Sequence, residues 1–226
     1  SLSNADWVNC RNQRGDSLAI ERLIRLKQIF FDSTDSLGAT PLALTRQSLG
    51  SRFANYPENE YWLKNTVLFA TLHMPSENNH YLAAAGRNNE FEDRVVANRN
   101  WLDRLFRIAN RHRYKGIVLF SDGNPYATVH KAHSTTAARD GFREIRQKLD
   151  TLIAQYPGRV LLVHGQHTSH PGEIVWRNRL GTLGLTSDWI RVDVAPGSPT
   201  LFKATAAFRK PDRTKRVTRQ KTRQIR

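Results

Sequence analysis

Cysteine occurs only once in the 226 residues, as Cys10. A single thiol excludes a disulfide within the chain and leaves the redox compartment open. Nowhere does an apolar run approach the roughly 20 residues that a membrane-crossing helix needs. The first residues, Ser1 to Ala5, contain no basic stretch leading into an apolar one, which excludes a secretory signal at that point. An initiator methionine is missing as well. The chain is therefore expected to begin inside a longer protein or behind a cloning remnant, of which Ser-Asn-Ala is a common form. Acidic residues are few: 20 Asp and Glu stand against 35 Lys and Arg, a net charge of +15.

What is present is a globular balance. Hydrophobic residues make up 39% and charged residues 24% of the chain, with five Trp, ten Phe and six Tyr to supply a core. The surplus of positive charge is concentrated at one end. Residues 208–226 carry nine Lys or Arg and one Asp and show no apolar periodicity. This tail is expected to stay unpacked from residues 1–207, which form the α/β domain. It reads either as a contact for nucleic acid or an anionic membrane, through phosphate neutralisation, or as a solubilising terminus. No aromatic residue is interleaved in it for base stacking.

Hydrophobic spacing predicts a helix over 18–31, with Leu23, Leu26 and Phe30 on one stripe and Ile20, Ile24 and Ile29 broadening it. A loop rich in Ser, Thr, Gly and Pro follows through Pro57. Thr66–Leu72 is nearly continuous in apolar residues, as a strand buried on both faces would be. A second helix places Trp101, Leu105 and Ile108 on one face. Gly116–Phe120 is the next buried strand, a third helix spans about 138–156, and Val160–Val163 is the third strand. Two late strands, Trp189–Val194 and Thr200–Ala204, flank the turn Pro196-Gly197-Ser198-Pro199. The order strand, helix, strand, helix, strand, with a β-rich end, predicts a layered α/β fold.

In such sheets ligands sit beyond the carboxyl ends of the strands. The first strand runs into His73, the second into Asp122, and the third into His164, with His167 and His170 close behind. Imidazoles gathered there suggest metal coordination, although a single strand-end His is equally a hydrogen-bonded loop residue. Asp122, before Gly123, can be an acid, a ligand or a turn former. His112 ends a helix, and His130 and His133 lie in a Ser/Thr-rich linker.

Several short motifs resemble the calcineurin-like metallophosphoesterases, in particular a bacterial branch. Ser3-Asn4-Ala5-Asp6-Trp7-Val8-Asn9-Cys10 is similar to its Gly-Asp-Asn-Glu-Trp-x-x-Cys block. Phe69-Ala70-Thr71-Leu72-His73, followed by Ser76-Glu77-Asn78-Asn79, resembles its strand-end His block. Arg99-Asn100-Trp101-Leu102 resembles the helix after it, and Val163-His164-Gly165-Gln166 its Val-His-Gly-Asp-x-His block. The resemblance implies the C-terminal portion of an α/β/β/α sandwich. It further implies metal ligands at Asn4, His73, His164 and His167, and a phosphorylated substrate near Asn78, Asn79, His80 and Asp122. The cofactor implied is Mn²⁺, Fe or Zn²⁺. On that reading Asn4, His73 and His164 or His167 converge at one end of the sheet. The family's first two blocks, which supply most of the carboxylates, have no counterpart and would lie upstream of Ser1. Ala5 stands in place of the proton donor, and Gln166 and Thr168 stand where ligands are expected. A two-metal hydrolysis needs all of these.

Overall fold

The computed structural model describes residues 1–83, 86, 88–127, 139–185 and 189–206. The basic tail, His130, His133 and the expected start of the third helix near Ala138 lie outside the described residues. A seven-stranded mixed sheet and a separate hairpin form the frame. The elements are α1 (Asn4–Trp7), α2 (Ala19–Phe30), β1 (Thr45–Arg46), β2 (Glu60–Lys64), β3 (Val67–Thr71), α3 (Asn89–Arg111) and β4 (Gly116–Ser121). They continue with α4 (Arg143–Gln155), β5 (Arg159–His164), β6 (Ile174–Arg177), β7 (Leu180–Gly184), β8 (Ile190–Val194) and β9 (Phe202–Ala206). The class is α/β.

The sheet runs β1-β2-β3-β4-β5-β7-β6, parallel from β3 to β7 and antiparallel at both edges; β8 and β9 pair with each other. The connections β3-α3-β4 and β4-α4-β5 are the crossovers that parallel neighbours require. Both lay their helices on one face. Alternation along the strands fixes which residues meet them. Leu68, Ala70 and Leu72, Ile117 and Leu119, and Val160 and Leu162 join Trp101, Leu102 and Leu105 of α3 and Ile145 and Leu149 of α4 in one buried cluster. The intervening Val67, Val118, Leu161, Val163 and Leu183 face the other way. There they pack on Leu201 and Phe202, with Ile190, Val192 and Ala204 of the hairpin around them. The central strands are thus covered on both sides, which is why they read as unbroken apolar runs.

Three features differ from the sequence expectation. Glu60–Lys64 is a strand, paired from Tyr61 to Ala70 along to Lys64 with Val67. A second hairpin, β6–β7, closes the far edge through Asn178, whose φ of 55° is one that asparagine tolerates. Helix α2 buries less than its pattern promised. Only Ala19 and Leu23 are fully covered, against Leu2 and Trp7, while Ile20, Ile24, Ile29 and Phe30 stay about half exposed. Among the described residues, no helix is long and apolar enough to cross a membrane.

Candidate functional site

The carboxyl ends of β3, β4 and β5 are tied together by Asp122. Its carboxylate Oδ2 accepts the backbone N–H of Asn4 at 2.7 Å and of Ser76 at 2.8 Å. Its carbonyl accepts the N–H groups of Gly165 and Gln166 at 3.1 and 2.9 Å. One residue therefore fastens α1, the loop after β3 and the loop after β5. Of the roles open to Asp122, it is this anchoring that the geometry displays.

On one side of that anchor lies a buried histidine cluster. His73 follows β3 and is fully enclosed. Its N–H donates to Asn59 Oδ1, its carbonyl accepts from Asn98 Nδ2, and its Nδ1 lies 2.8 Å from Glu58 Oε1. Burial holds the imidazole below its ordinary pKa in spite of the Glu58 carboxylate. Burial would raise Glu58, but the hydrogen bond and charge of His73, and then Lys27 at 2.8 Å, more than offset it and leave the carboxyl acidic. A carboxylate at Glu58 accepts a hydrogen bond from Nδ1–H, so in its neutral form the imidazole carries its proton on Nδ1. That tautomer leaves a lone pair on Nε2, and among the described residues nothing bonds to it. Asn4 Oδ1, in α1, is a second buried acceptor without a partner. Trp7, the last residue of α1, is in edge contact with His73 at 5.7 Å and with His80 at 4.6 Å between ring centres.

His80 belongs to a parallel arrangement. Its Nδ1 is 3.1 Å from Glu90 Oε2, and Glu90 also binds buried Arg94 one turn further along α3. Arg94 in turn donates to Asn79 Oδ1 and to the Asn79 carbonyl. Asn78, Asn79 and His80 all adopt left-handed φ near 50–55°. Asn78 and Asn79 spend their side chains on Gly141 and Arg139, which lock this loop to the start of α4. Asn78 and Asn79 are thus engaged within the protein, and His80 is nearly buried.

On the other side lies His164. Continued past β3, the strand alternation places His73 on the side of Val67 and Phe69, whereas His164 takes the side of Val160 and Leu162, beneath the helices. Its Nε2 meets Asn124 Nδ2 at 3.1 Å and its Nδ1 meets the Gln166 carbonyl at 3.1 Å. Both ring nitrogens are thereby used, leaving no lone pair for a cation. His167 is exposed. Among the described residues no hydrogen bond joins Asn4 or His73 to His164 or His167, and Asp122 is what links the backbone of Asn4 to that of Gly165.

A divalent ion of the Mn²⁺, Fe or Zn²⁺ type takes four or more ligands, at least some of them anionic or imidazole. The orphaned Asn4 Oδ1 and His73 Nε2 are suitable atoms, and the Glu58–His73 bond is the kind that orients a ligating imidazole. They are two donors only. No group of three His, Cys, Asp or Glu suited to a metal occurs among the described residues. The residues present fit part of a shell and not a dinuclear centre.

Glu58, Glu90, Arg94 and Trp7 were not evident as site residues in the sequence. Glu90 and Arg94 could have been found as an i, i+4 acid–base pair on α3; Glu58 has no comparable signal. Compared with known proteins, the chain matches no family model, no curated protein and no solved structure.

Proposed function

We propose that this chain is a metallophosphoesterase-like domain that retains a fragment of a metal site and is not an efficient catalyst by itself. The observation that supports the reading is the pair of buried, unpartnered acceptors, Asn4 Oδ1 and His73 Nε2, near the carboxyl ends of the central strands, with Glu58 fixing the imidazole tautomer. On this reading the seven-stranded sheet is one layer of an α/β/β/α sandwich. The reaction is hydrolysis of a phosphoester, for which the chain contributes an oriented imidazole and an amide. Ala5 cannot supply a proton to a leaving oxygen, a contribution worth typically ~10²–10⁴-fold. Glu58 is the carboxylate beside His73 and its Oε1 is engaged with Nδ1 and Lys27, and no group of three His, Cys, Asp or Glu suited to bridging cations occurs among the described residues.

The test is calorimetric titration with Mn²⁺ and Zn²⁺, together with turnover of an aryl phosphodiester, which needs leaving-group protonation least. A dissociation constant of about 0.1 mM or weaker is expected, as befits an incomplete shell, with binding lost in His73→Ala. Turnover should be feeble in the wild type and indistinguishable from it in the His73→Ala, His164→Ala double variant. Robust metal-dependent turnover that vanishes in the double variant would overturn the inefficiency. Metal binding unchanged by His73→Ala would remove the site.

A further inference from the structure

A cleft of about 450 Å³ opens on the helix side of the sheet, between the loops after β4 and β5 and the β6–β7 hairpin. Helices α3 and α4 cover β3, β4 and β5 and reach Leu180 of β7. Beyond Leu180 the β6–β7 edge forms a shelf over which, among the described residues, no helix lies. Val175, Arg177, Leu180 and Thr182 on the helix side of that shelf form the floor. Ile174 and Trp176 turn to the opposite face, where they pack with Leu183. The rim is the segment Gln166-His167-Thr168-Ser169-His170, with Tyr126 facing it.

The lining is chemically one-sided. It holds a guanidinium, two imidazoles, an amide and several hydroxyls, and among the described residues no carboxylate lines it. Arg177 is exposed, and among the described residues it forms no ion pair. Its guanidinium sits over the Tyr126 ring at 6.0 Å, and that ring is held in turn by a 2.9 Å bond from Tyr126 Oη to Asp150 of α4. Thr168 Oγ1 accepts the N–H of His170, which leaves the hydroxyl proton free to donate outward. The Gln166 side chain is committed to the N–H of Asn124 and serves to fix the rim. Donors surround the opening while apolar Val175 and Leu180 lie beneath.

We infer that this cleft binds a small organic phosphate. An anionic group with several acceptor oxygens satisfies the Arg177 fork and the Thr168 hydroxyl, and Arg is well suited to such planar, multidentate contacts. The apolar floor takes the organic part. The volume falls within the usual range for small-molecule sites, and the rim lies at the carboxyl ends of β4 and β5, where α/β sheets place ligands, with the floor running along β6 and β7 to Arg177 and Leu180. The inference does not depend on the metal fragment, since neither Asn4 nor His73 lines this cleft.

The experiment uses the full chain in EDTA, so that no metal mediates binding. Phenyl phosphate, inorganic phosphate and neutral benzyl alcohol are titrated while the imidazole resonances are followed by NMR. Phenyl phosphate is expected to bind with a dissociation constant on the order of 0.1–1 mM and to shift the His167 and His170 signals but not His112. Inorganic phosphate should shift the same signals at roughly tenfold higher concentration, and benzyl alcohol should not shift them. Arg177→Gln should weaken phenyl phosphate about tenfold or more, and Arg177→Lys less. Absence of shifts at His167 and His170 up to about 10 mM ligand would overturn the site. Equal affinity in Arg177→Gln would do so too, as would shifts confined to histidines outside the cleft.

Discussion

At the scale of single residues, the fold displaces the titration of several ionisable groups from its ordinary range. His73 and His164 are both held below the ordinary imidazole value, chiefly by burial. Glu90 is held well below the carboxylate range. Burial alone would raise it, but the charge of Arg94 and the bonds from His80 and Arg94 outweigh that cost. The consequence for stability has a definite sign. Below the unfolded imidazole value of 6.5 the unfolded chain takes up protons that folded His73 and His164 refuse, so stability falls as pH drops through that region. The contribution of Glu90 is present above 4.5 and is lost below it. Glu60 acts in the opposite sense, because burial raises its carboxyl and the folded chain accepts that proton first. With two imidazoles, Glu58 and Glu90 on one side and Glu60 on the other, the denaturant midpoint in EDTA should decline below about pH 6.5 and fall further below about 4.5. Equal midpoints at about pH 7.5 and 5 would mean that His73 and His164 are protonated at no cost in the folded state.

At the scale of elements, the three central strands and the helices between them were legible because burial on both faces writes itself as continuous apolar sequence. The edges were not. Glu60-Tyr61-Trp62-Leu63-Lys64 has no clean alternation, and Leu180-Gly181-Thr182-Leu183-Gly184 is broken by glycines. Gly181 is where a Cβ would run into Ile174 and Trp176, a requirement visible only once β6 is paired to it. The same limit applied to the site. The sequence showed that His73, Asp122 and His164 end neighbouring strands. Which faces the two histidines take depends on register, and Thr71 aligns with Phe120 while Ser121 aligns with His164. The loop Ser76–His80 gives a test at this scale. Its three left-handed residues are held by Gly141, whose N–H donates to Asn78 Oδ1 and whose carbonyl accepts from Asn79 Nδ2. A Cβ at Gly141 would overlap the Asn78 carbonyl, a backbone atom that cannot move aside without undoing the loop. Gly141→Ala should therefore cost about 1–3 kcal/mol in denaturant unfolding. It should also speed amide exchange at Asn79 and His80 more than in β4. A neutral result would show that the loop yields freely.

For the whole molecule, the dominant property is charge, and its placement separates folding from binding. Both main hydrophobic clusters close with residues between Tyr61 and Ala204, and the third joins Leu2 and Trp7 to α2. Residues 208–226 carry nine of the chain's 35 Lys and Arg with one Asp. Self-repulsion among like charges opposes compaction, and removing the tail lowers the net charge from +15 to +7 while taking away few apolar residues. A chain ending at residue 207 should melt within about 2 °C of the full chain, because surface changes away from packed features seldom exceed about 0.5 kcal/mol. Binding to anionic polymers should respond differently. Each phosphate neutralised releases counterions, and log K falls against log salt with a slope near −0.9 per contact on duplex DNA. If the tail supplies most contacts, its loss should both weaken DNA binding and flatten that slope by several units, whereas residual binding by the domain should keep a shallow slope. Fluorescence anisotropy with a labelled duplex at several salt concentrations measures both. An unchanged slope would place the binding charge on the folded domain instead, and a drop of many degrees in melting temperature would make the tail part of the fold.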